Sequence, residues 1–276
     1  MRQRNPNSPS WYYSHPQELP DGISLDQWRH ESGNPQEDNT REWLSRLNFF
    51  PIEVENYMNG NSIDWFDEVV RTGIRQKYDL SVGGGTEKIS YYWSFDYQDN
   101  EGVIRGDEFS TFRTRLNFDF DVTDWLNIGI NSQFSDRDES TVTADLNSMY
   151  LMSPYGSKYE EDGSLKWYPN DFPLMNPLLY YKGQERLRKY NSFFANLYAN
   201  ISLPLGINYK ISFQPRYEFM KDYTFTSSNT PYTPAGGSAT RRESNSFDWI
   251  LDHILSWEKE FGIHSFNVTM LYSVCP

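Results

Sequence analysis

The chain has 276 residues, of which 17% are aromatic, and it carries a formal net charge of −13. Such a charge argues against binding to nucleic acid and against docking of a basic surface to anionic lipid. The mean hydropathy of −0.75 is strongly hydrophilic in spite of the aromatic content. Many aromatic residues in a polar background are typical of a structure with one apolar face and a large solvent-exposed surface.

The sequence predicts no metal and no cofactor. Cys275 is the one cysteine, so no disulfide can form within the chain, and no Cys/His spacing typical of a metal site is present. A run of about 18 apolar residues is also missing, which excludes a transmembrane helix. Residues 1–13 lack the apolar core of a signal peptide.

Residues 1–75 show no sustained hydrophobic period. They contain turn signals such as Gly33-Asn34-Pro35 and a few short stretches of helical character. The best candidates for single helical turns are residues 42–47 and 65–71. We expect this segment to be an external loop region with short helical turns.

A period of two begins near residue 78 and recurs along the rest of the chain. In residues 88–98, for example, the odd positions from Ile89 to Tyr97 are apolar and most even positions are polar. This alternation predicts strands with one apolar face, although Ile250 and Ile254 interrupt it in one stretch. The eight predicted strands cover residues 78–82, 88–98, 112–121, 126–134, 192–203, 207–219, 247–257 and 266–274.

Strand length and mid-strand charge together favour a membrane-spanning sheet. Most of the alternating runs hold 10 to 13 residues, whereas strands in soluble proteins average about 5–6 and a tilted strand that crosses a bilayer needs about 9–11. The polar face carries Arg113, Arg115, Lys210 and Arg216, which a dry core could not hold unpaired but a wet or plugged lumen accepts. We therefore predict an all-β fold, in which residues 76–276 form an antiparallel transmembrane β-barrel segment.

The connections between the predicted strands alternate in length. Short ones fall near 84–87, 121–124, 203–206 and 259–262, and the two longest fall at about 136–189 and 220–245. Outer-membrane barrels have short periplasmic turns and long external loops. The long connections and residues 1–75 are therefore placed outside the cell, and an earlier strand is expected before residue 1. Eight strands could also close a small barrel by themselves.

Three stretches between residues 65 and 131 resemble the SusC/RagA group of TonB-dependent outer-membrane transporters from Bacteroidetes. They are 65–73, then 78–104, then 112–131, in the order and spacing of that family. The run Gly83-Gly84-Gly85 is expected to supply the positive φ that a tight hairpin needs. The positions that carry the motifs are Trp65, Gly73, Gly84, Gly85, Gly102, Asn117 and Trp125.

The resemblance implies a full barrel of about 22 strands, preceded by a signal peptide, a TonB-binding segment and a plug domain. The plug domain is absent from this sequence, so we expect a fragment of the barrel. For the intact protein, the resemblance implies a transporter of the Gram-negative outer membrane and not an enzyme. It would import oligosaccharides with a SusD-like surface lipoprotein and the TonB complex, although related transporters import peptides.

External loops are the expected place for substrate contacts, because sugars stack on aromatic rings. The loop 136–189 is rich in aromatic residues, namely Tyr150, Tyr155, Tyr159, Trp167, Tyr168, Phe172, Tyr180 and Tyr181. We select four of them as candidate substrate contacts: Tyr155, Tyr159, Trp167 and Tyr168. The alternative is that these rings pack within the loop. Trp125, Tyr209 and Trp257 lie beside short turns and are expected at the membrane–water interface.

Two alternatives stay open at this stage. A soluble β-rich carbohydrate-binding protein would use the aromatic strands to form a sandwich. A complete eight-stranded outer-membrane barrel would act as an adhesin or a small pore, and its first and last strands would pair.

Overall fold

The computed structural model describes residues 5–33, 35–171, 173–231, 233 and 235–276. Asn34 of the predicted turn and Phe172 of the predicted loop lie outside the described residues. The chain divides into two compact units. The loop unit consists of the described parts of residues 1–70 and 144–182, and the sheet unit of those of 71–143 and 183–276. Each is described by itself below.

The sheet unit is an antiparallel sheet in which the strands follow one another in chain order. The prediction of an all-β antiparallel fold is confirmed. All eight predicted strands are present in the described residues, and each lies within an observed strand except that Lys88 precedes β2. The strands are β1 (Ile74–Gly85), β2 (Ile89–Glu101), β3 (Glu108–Thr123), β4 (Leu126–Asp138), β5 (Gln184–Leu203), β6 (Ile207–Thr226), β7 (Ser238–Phe261) and β8 (His264–Val274).

The register places the apolar side chains of neighbouring strands in common rows. Leu80 of β1 pairs with Phe95 of β2, which pairs with Thr114 of β3. Directly paired residues share a face, so the apolar residues of all strands form one face, which we call the apolar face. The opposite polar face includes the pair Asp96 and Arg113. A one-residue slip would exchange the two faces, so the alternation itself specifies the register.

The largest extensions beyond the apolar alternation occur in three strands. β5, β6 and β7 contain 20, 20 and 24 residues, and the irregular connections shrink to 139–183 and 227–237. The extensions pair polar residues, for example Lys221 with Glu243 and Asp222 with Arg242. A ribbon with polar residues on both faces has no apolar alternation, and so the sequence pattern did not reveal it.

The two outer strands of the sheet each have one neighbour. Within the described residues, β1 pairs only with β2 and β8 pairs only with β7. The sheet is therefore an open arc, and a barrel closed by these eight strands alone is not supported.

The helices of the described residues are short. None of them is long and apolar enough to cross a membrane.

The loop unit brings together two chain segments that are far apart in sequence. Its helices are α1 (Leu25–His30), α2 (Asn39–Arg46), α3 (Pro51–Met58), α4 (Trp65–Val69), α5 (Leu146–Leu151) and α6 (Leu179–Gly183). The helical turns expected at 42–47 and 65–71 correspond to α2 and α4. Side chains of Ser24, Asp38, Asp64 and Asp145 accept backbone hydrogen bonds at the N-termini of four of these helices. The buried apolar side chains of the unit come from both segments and include Trp28, Leu44, Val69, Met149 and Leu179.

The loop unit contains a buried ion pair. The Arg46 Nε donates to Glu42 Oε1 at 2.6 Å, and both side chains are nearly inaccessible to solvent. The guanidinium lies between the rings of Tyr12 and Trp28, 4.4 and 3.7 Å from their centroids. Burial by itself would raise the pKa of Glu42, but hydrogen bonds from the Gln36 amide and Arg46 outweigh it and hold the pKa below its usual range. The Glu42 carboxyl is therefore ionised at neutral pH.

Candidate substrate-facing and membrane-facing sites

The most exposed aromatic residues among the candidate contacts belong to a small hairpin in the loop unit. Tyr159 forms an antiparallel bridge with Leu165, and the Lys166 amide donates to the Lys158 carbonyl at 3.0 Å. Trp167 lies two residues beyond Leu165. Tyr159 is 51% exposed and Trp167 is 39% exposed, so both offer ring surface to a ligand.

An ion pair holds the base of this hairpin. The Lys158 ammonium lies 2.5 Å from the Glu68 carboxylate and 5.0 Å from the centroid of the Tyr159 ring. Burial alone would lower the pKa of Lys158, but the hydrogen bond and the charge of Glu68 outweigh it and raise the pKa above its usual value. Tyr159 is therefore positioned next to a cation that stays charged at physiological pH.

The hairpin tip is a solvated turn. Asp162 accepts hydrogen bonds from the amide and the hydroxyl of Ser164, at 2.8 and 2.6 Å. These bonds lower the pKa of the Asp162 carboxyl. Gly163 takes a φ of 82° in the turn, a conformation that residues with a Cβ rarely adopt. No group of three or more His, Cys, Asp or Glu side chains in the described part of the chain is arranged to hold a metal ion.

The other two candidate contacts are less accessible. The Tyr155 ring packs edge-on against Tyr57, with a centroid distance of 5.1 Å, and lies 5.9 Å from Phe49. The Tyr168 side chain is half-buried, and its carbonyl accepts from the Asp171 amide at 3.0 Å. Tyr155 therefore helps to hold the loop unit together, which is the packing role considered as the alternative.

Several charges on the polar face of the sheet are paired. Lys77 of β1 contacts Asp79 and Asp96 at 2.9 and 3.2 Å, and Arg113 of β3 contacts Asp96 at 3.1 Å. Arg115 donates to Gln133 of β4 at 3.0 Å. Arg113 and Arg115 are thus satisfied by groups on neighbouring strands, and Arg216 contacts Glu218 of its own strand at 2.5 Å. Such pairing is expected for a face that lines a wet or plugged lumen.

A tyrosine crosses a whole strand on the polar face. Tyr198 of β5 pairs with Gly129 of β4, and its hydroxyl donates to Asp119 of β3. A Cβ at Gly129 would lie 2.5 Å from the Tyr198 ring and 2.9 Å from the Phe118 carbonyl oxygen. The missing side chain at Gly129 therefore creates the space through which the ring reaches Asp119.

A cluster of charges near the long-loop end of β4, β5 and β6 was not selected from the sequence. Arg186 binds Asp222 through two nitrogens, at 3.0 and 2.8 Å, and Arg188 lies between Asp222 and Glu139, at 3.8 and 3.7 Å. The signal in the sequence is weak, since charges of both signs occur throughout this region. Only the pairing of β5 with β6 places Arg188 opposite Asp222.

The three predicted interface aromatics all lie near the short-turn end of the sheet, which is the end formed by the connections 86–88, 124–125, 204–206 and 262–263. Trp125 is 54% exposed. The Trp257 indole donates to the Leu205 carbonyl at 3.1 Å. The Tyr209 hydroxyl lies 2.6 Å from Nδ1 of His253. Their assignment to a membrane interface stays a prediction.

The glycine run at residues 83–85 has another role than the one expected. Its residues do not take positive φ but belong to strand β1. A Cβ at Gly84 would lie 2.7 Å from the Tyr91 hydroxyl, and one at Gly85 would lie 2.6 Å from the Ile89 carbonyl oxygen. The expectation of positive φ was therefore wrong, because the strand continues through the run and the glycines instead allow β2 to approach closely.

The remaining motif positions are placed as follows. The Trp65 indole is buried in the loop unit and donates to the Ser153 carbonyl at 2.9 Å. A Cβ at Gly73 would lie 2.9 Å from the Glu101 carbonyl oxygen, and one at Gly102 would collide with the Asp107 side chain. Asn117 lies on the polar face between Tyr92 and Asn131. At Gly73 and Gly102, the missing side chain therefore allows neighbouring atoms to approach closely.

Known proteins with a similar sequence come from one class of receptor. The chain is 27% identical over 220 residues to TonB-dependent receptor P26 of Formosa agariphila, and the match covers 77% of this chain and 22% of that protein. It is 29% identical over 72 residues to TonB-dependent receptor SusC of Bacteroides thetaiotaomicron, which is 26% of this chain and 7% of that protein. The resemblance to SusC-like TonB-dependent receptors is confirmed. No protein-family model matches the chain.

A solved structure also shares the fold of this SusC-like chain. The structure of the RagAB peptide transporter superposes with a TM-score of 0.65 at 21% identity, over 78% of this chain and 25% of that one. At this identity the superposition is evidence for the fold alone. The chain spans less than a quarter of the length of the curated relatives it matches. The sheet therefore resembles part of a TonB-dependent barrel.

Proposed function

We propose that this chain forms part of the barrel wall and of the external loops of a TonB-dependent nutrient transporter in the outer membrane of a Gram-negative bacterium. The observation that carries the proposal is the open antiparallel sheet with one continuous apolar face and one face of paired charges. Leu80 and Met270 on the apolar face are 72% and 64% exposed, which suits contact with lipid and not the interior of a soluble sandwich. The sequence similarity to TonB-dependent receptors supports the same assignment.

In the intact protein, we propose that oligosaccharides are the substrate and that a SusD-like surface lipoprotein and the TonB complex are the partners. The exposed rings of Tyr159 and Trp167 support a glycan, since apolar sugar faces stack on aromatic side chains. A peptide is the second candidate, because a structure with the same fold is described as a peptide transporter. No catalytic role is proposed for any residue.

The sidedness of the chain can be tested by labelling single cysteines. In a Cys275→Ser background, Glu161→Cys places a thiol at the exposed hairpin tip and Asp124→Cys places one in a short turn. We expect a membrane-impermeant maleimide to label Glu161→Cys, but not Asp124→Cys, on whole cells that produce the protein. Both should react after the outer membrane is permeabilised. Labelling of Asp124→Cys on intact cells, or absence of the protein from the outer-membrane fraction, would contradict the proposal.

The substrate class can be tested by binding. We expect protein purified from outer membranes to bind members of a glycan array, and Trp167→Ala to weaken that binding about tenfold, as loss of a tryptophan anchor commonly does. Tyr150→Ala is the matched control, since Tyr150 is a 74% exposed aromatic residue of the same unit that was not selected as a contact. Binding of a random peptide library but of no glycan would favour the peptide alternative. Equal effects of both substitutions on glycan binding would show that Trp167 is not a specific substrate contact.

A further inference from the structure

The apolar face of β6, β7 and β8 carries a polar pair that strand alternation does not predict. The Tyr209 hydroxyl lies 2.6 Å from His253 Nδ1, and the two rings stack with an interplanar angle of 22°. The Tyr272 ring lies on the other side of the imidazole, with a centroid distance of 6.0 Å. When Tyr209 donates to Nδ1, the imidazole proton resides on Nε2, which then acts as a hydrogen-bond donor.

Polar groups on a lipid-facing surface are costly unless they have partners. Tyr209 satisfies one nitrogen of the imidazole and orients the other. The pair also lies near the short-turn end of the sheet, where lipid headgroups are found. Tyr209 pairs with Leu255, which is two residues from Trp257 on the same face of β7. The Trp257 indole in turn donates to the carbonyl of Leu205 in a short turn. The position and the chemistry of the pair thus match the polar end of an amphiphile.

An apolar groove begins beside this pair. Its volume is about 430 Å³, within the range of roughly 300–1,000 Å³ that is usual for small-molecule sites. Ala199 pairs with Ile211, which in turn pairs with His253, so the small side chain of Ala199 lies in the same row as the imidazole. Larger apolar residues surround it, among them Phe118 and Phe213.

We propose that this surface binds one phospholipid of the membrane leaflet at the short-turn end. His253 Nε2 donates to a phosphate oxygen of the headgroup, and one acyl chain lies in the groove over Ala199. The inference rests on the proposed function, because only a wall embedded in the outer membrane presents this face to lipid. It goes further by assigning a defined lipid site within the general apolar face.

The test uses protein purified from outer membranes in mild detergent, incubated with phosphatidylethanolamine and examined by native mass spectrometry. Three substitutions probe the site: Tyr209→Phe and His253→Phe remove its polar atoms while keeping an aromatic ring, and Ala199→Phe fills the groove. Tyr217→Phe is the matched control, since it removes a hydroxyl from the same face of the same strand. We expect the wild type and Tyr217→Phe to retain one lipid and the site variants to bind it about tenfold less. His253→Phe loses the hydrogen bond to the phosphate, Tyr209→Phe loses the group that orients the imidazole, and Ala199→Phe fills the groove.

Contrary outcomes separate the two proposals. Equal lipid retention by all variants, or an equal loss of lipid in Tyr217→Phe, would show that lipid binds the apolar face without a defined site. Either result would overturn the inference while leaving the proposed function intact. If Ala199→Phe does not assemble, Tyr209→Phe and His253→Phe decide the question. Absence of the wild-type protein from the outer-membrane fraction would instead contradict the proposed function.

Discussion

Replacement of Arg46 by leucine is expected to destabilise the loop unit by about 3–5 kcal/mol, because it leaves the Glu42 carboxylate buried without its ionic partner. Arg46 also donates to the carbonyls of Trp28 and Tyr12, at 2.8 and 3.2 Å. Those carbonyls lose their donor in the same substitution. The measurement is hydrogen exchange of the peptides that contain α1 and α2, followed by mass spectrometry as a function of urea.

Two further variants identify the cause of this loss. Arg41→Leu alters an exposed arginine of the same helix and is expected to change the free energy of local unfolding by less than about 0.5 kcal/mol. The double variant Glu42→Leu/Arg46→Leu removes both charges and is expected to recover part of the loss, since apolar replacements of a buried pair are often neutral. If the double variant is less stable than Arg46→Leu, the buried charge is not the cause.

Valine at Gly129 is expected to prevent most of the protein from reaching its assembled form in the outer membrane. The new side chain would occupy the space of the Tyr198 ring and press on the Phe118 carbonyl. Overpacking of this kind costs typically about 1–3 kcal/mol, and displacement of the ring also breaks its bond to Asp119. The assembled fraction can be measured from the heat-dependent mobility shift of the protein on gels.

Asn131→Val provides the matched control for Gly129→Val. Residue 131 lies two positions further along β4 on the same polar face, where Asn131 pairs with Asn117 and Asn196. The Asn131→Val substitution introduces the same valine side chain at a position that pairs with no aromatic ring. We therefore expect near-normal assembly. Adding Tyr198→Ser to Gly129→Val should restore part of the assembled fraction. Normal assembly of Gly129→Val alone would show that the close packing of Tyr198 over Gly129 is not required.

Much of the sheet could be predicted from the sequence because strand alternation has a physical cause that is local. A residue such as Leu80 or Phe95 faces the apolar side of the sheet because of its position in its own strand, whatever lies far away in the chain. The alternation can therefore be recognised in the sequence. The same reasoning failed where that cause is missing. The outer parts of β5 to β7 carry polar residues on both faces, and their extent depends on pairs such as Asp222 with Arg242.

The candidate site was predictable only in part. Trp167 is exposed, and its role as a substrate contact stays a prediction. Composition could not separate it from Tyr155, which packs against Tyr57. That difference depends on α3 lying next to residues about 100 positions later, as the hydrogen bond from Asn56 to the Tyr155 carbonyl at 2.8 Å shows. Contacts of such separation leave no local signature.

By itself, the sequence determined that this chain has strands with one apolar and one polar face. It also determined their approximate positions and their resemblance to SusC-like TonB-dependent receptors. These properties follow from the period of two and from short motifs, which act over a few residues. Only the tertiary structure decided that Gly129 admits Tyr198, that Arg46 is buried between Tyr12 and Trp28, and that His253 meets Tyr209 beside a groove. Each of these depends on which residues of distant strands or helices come into register, and that is set by packing of the whole chain.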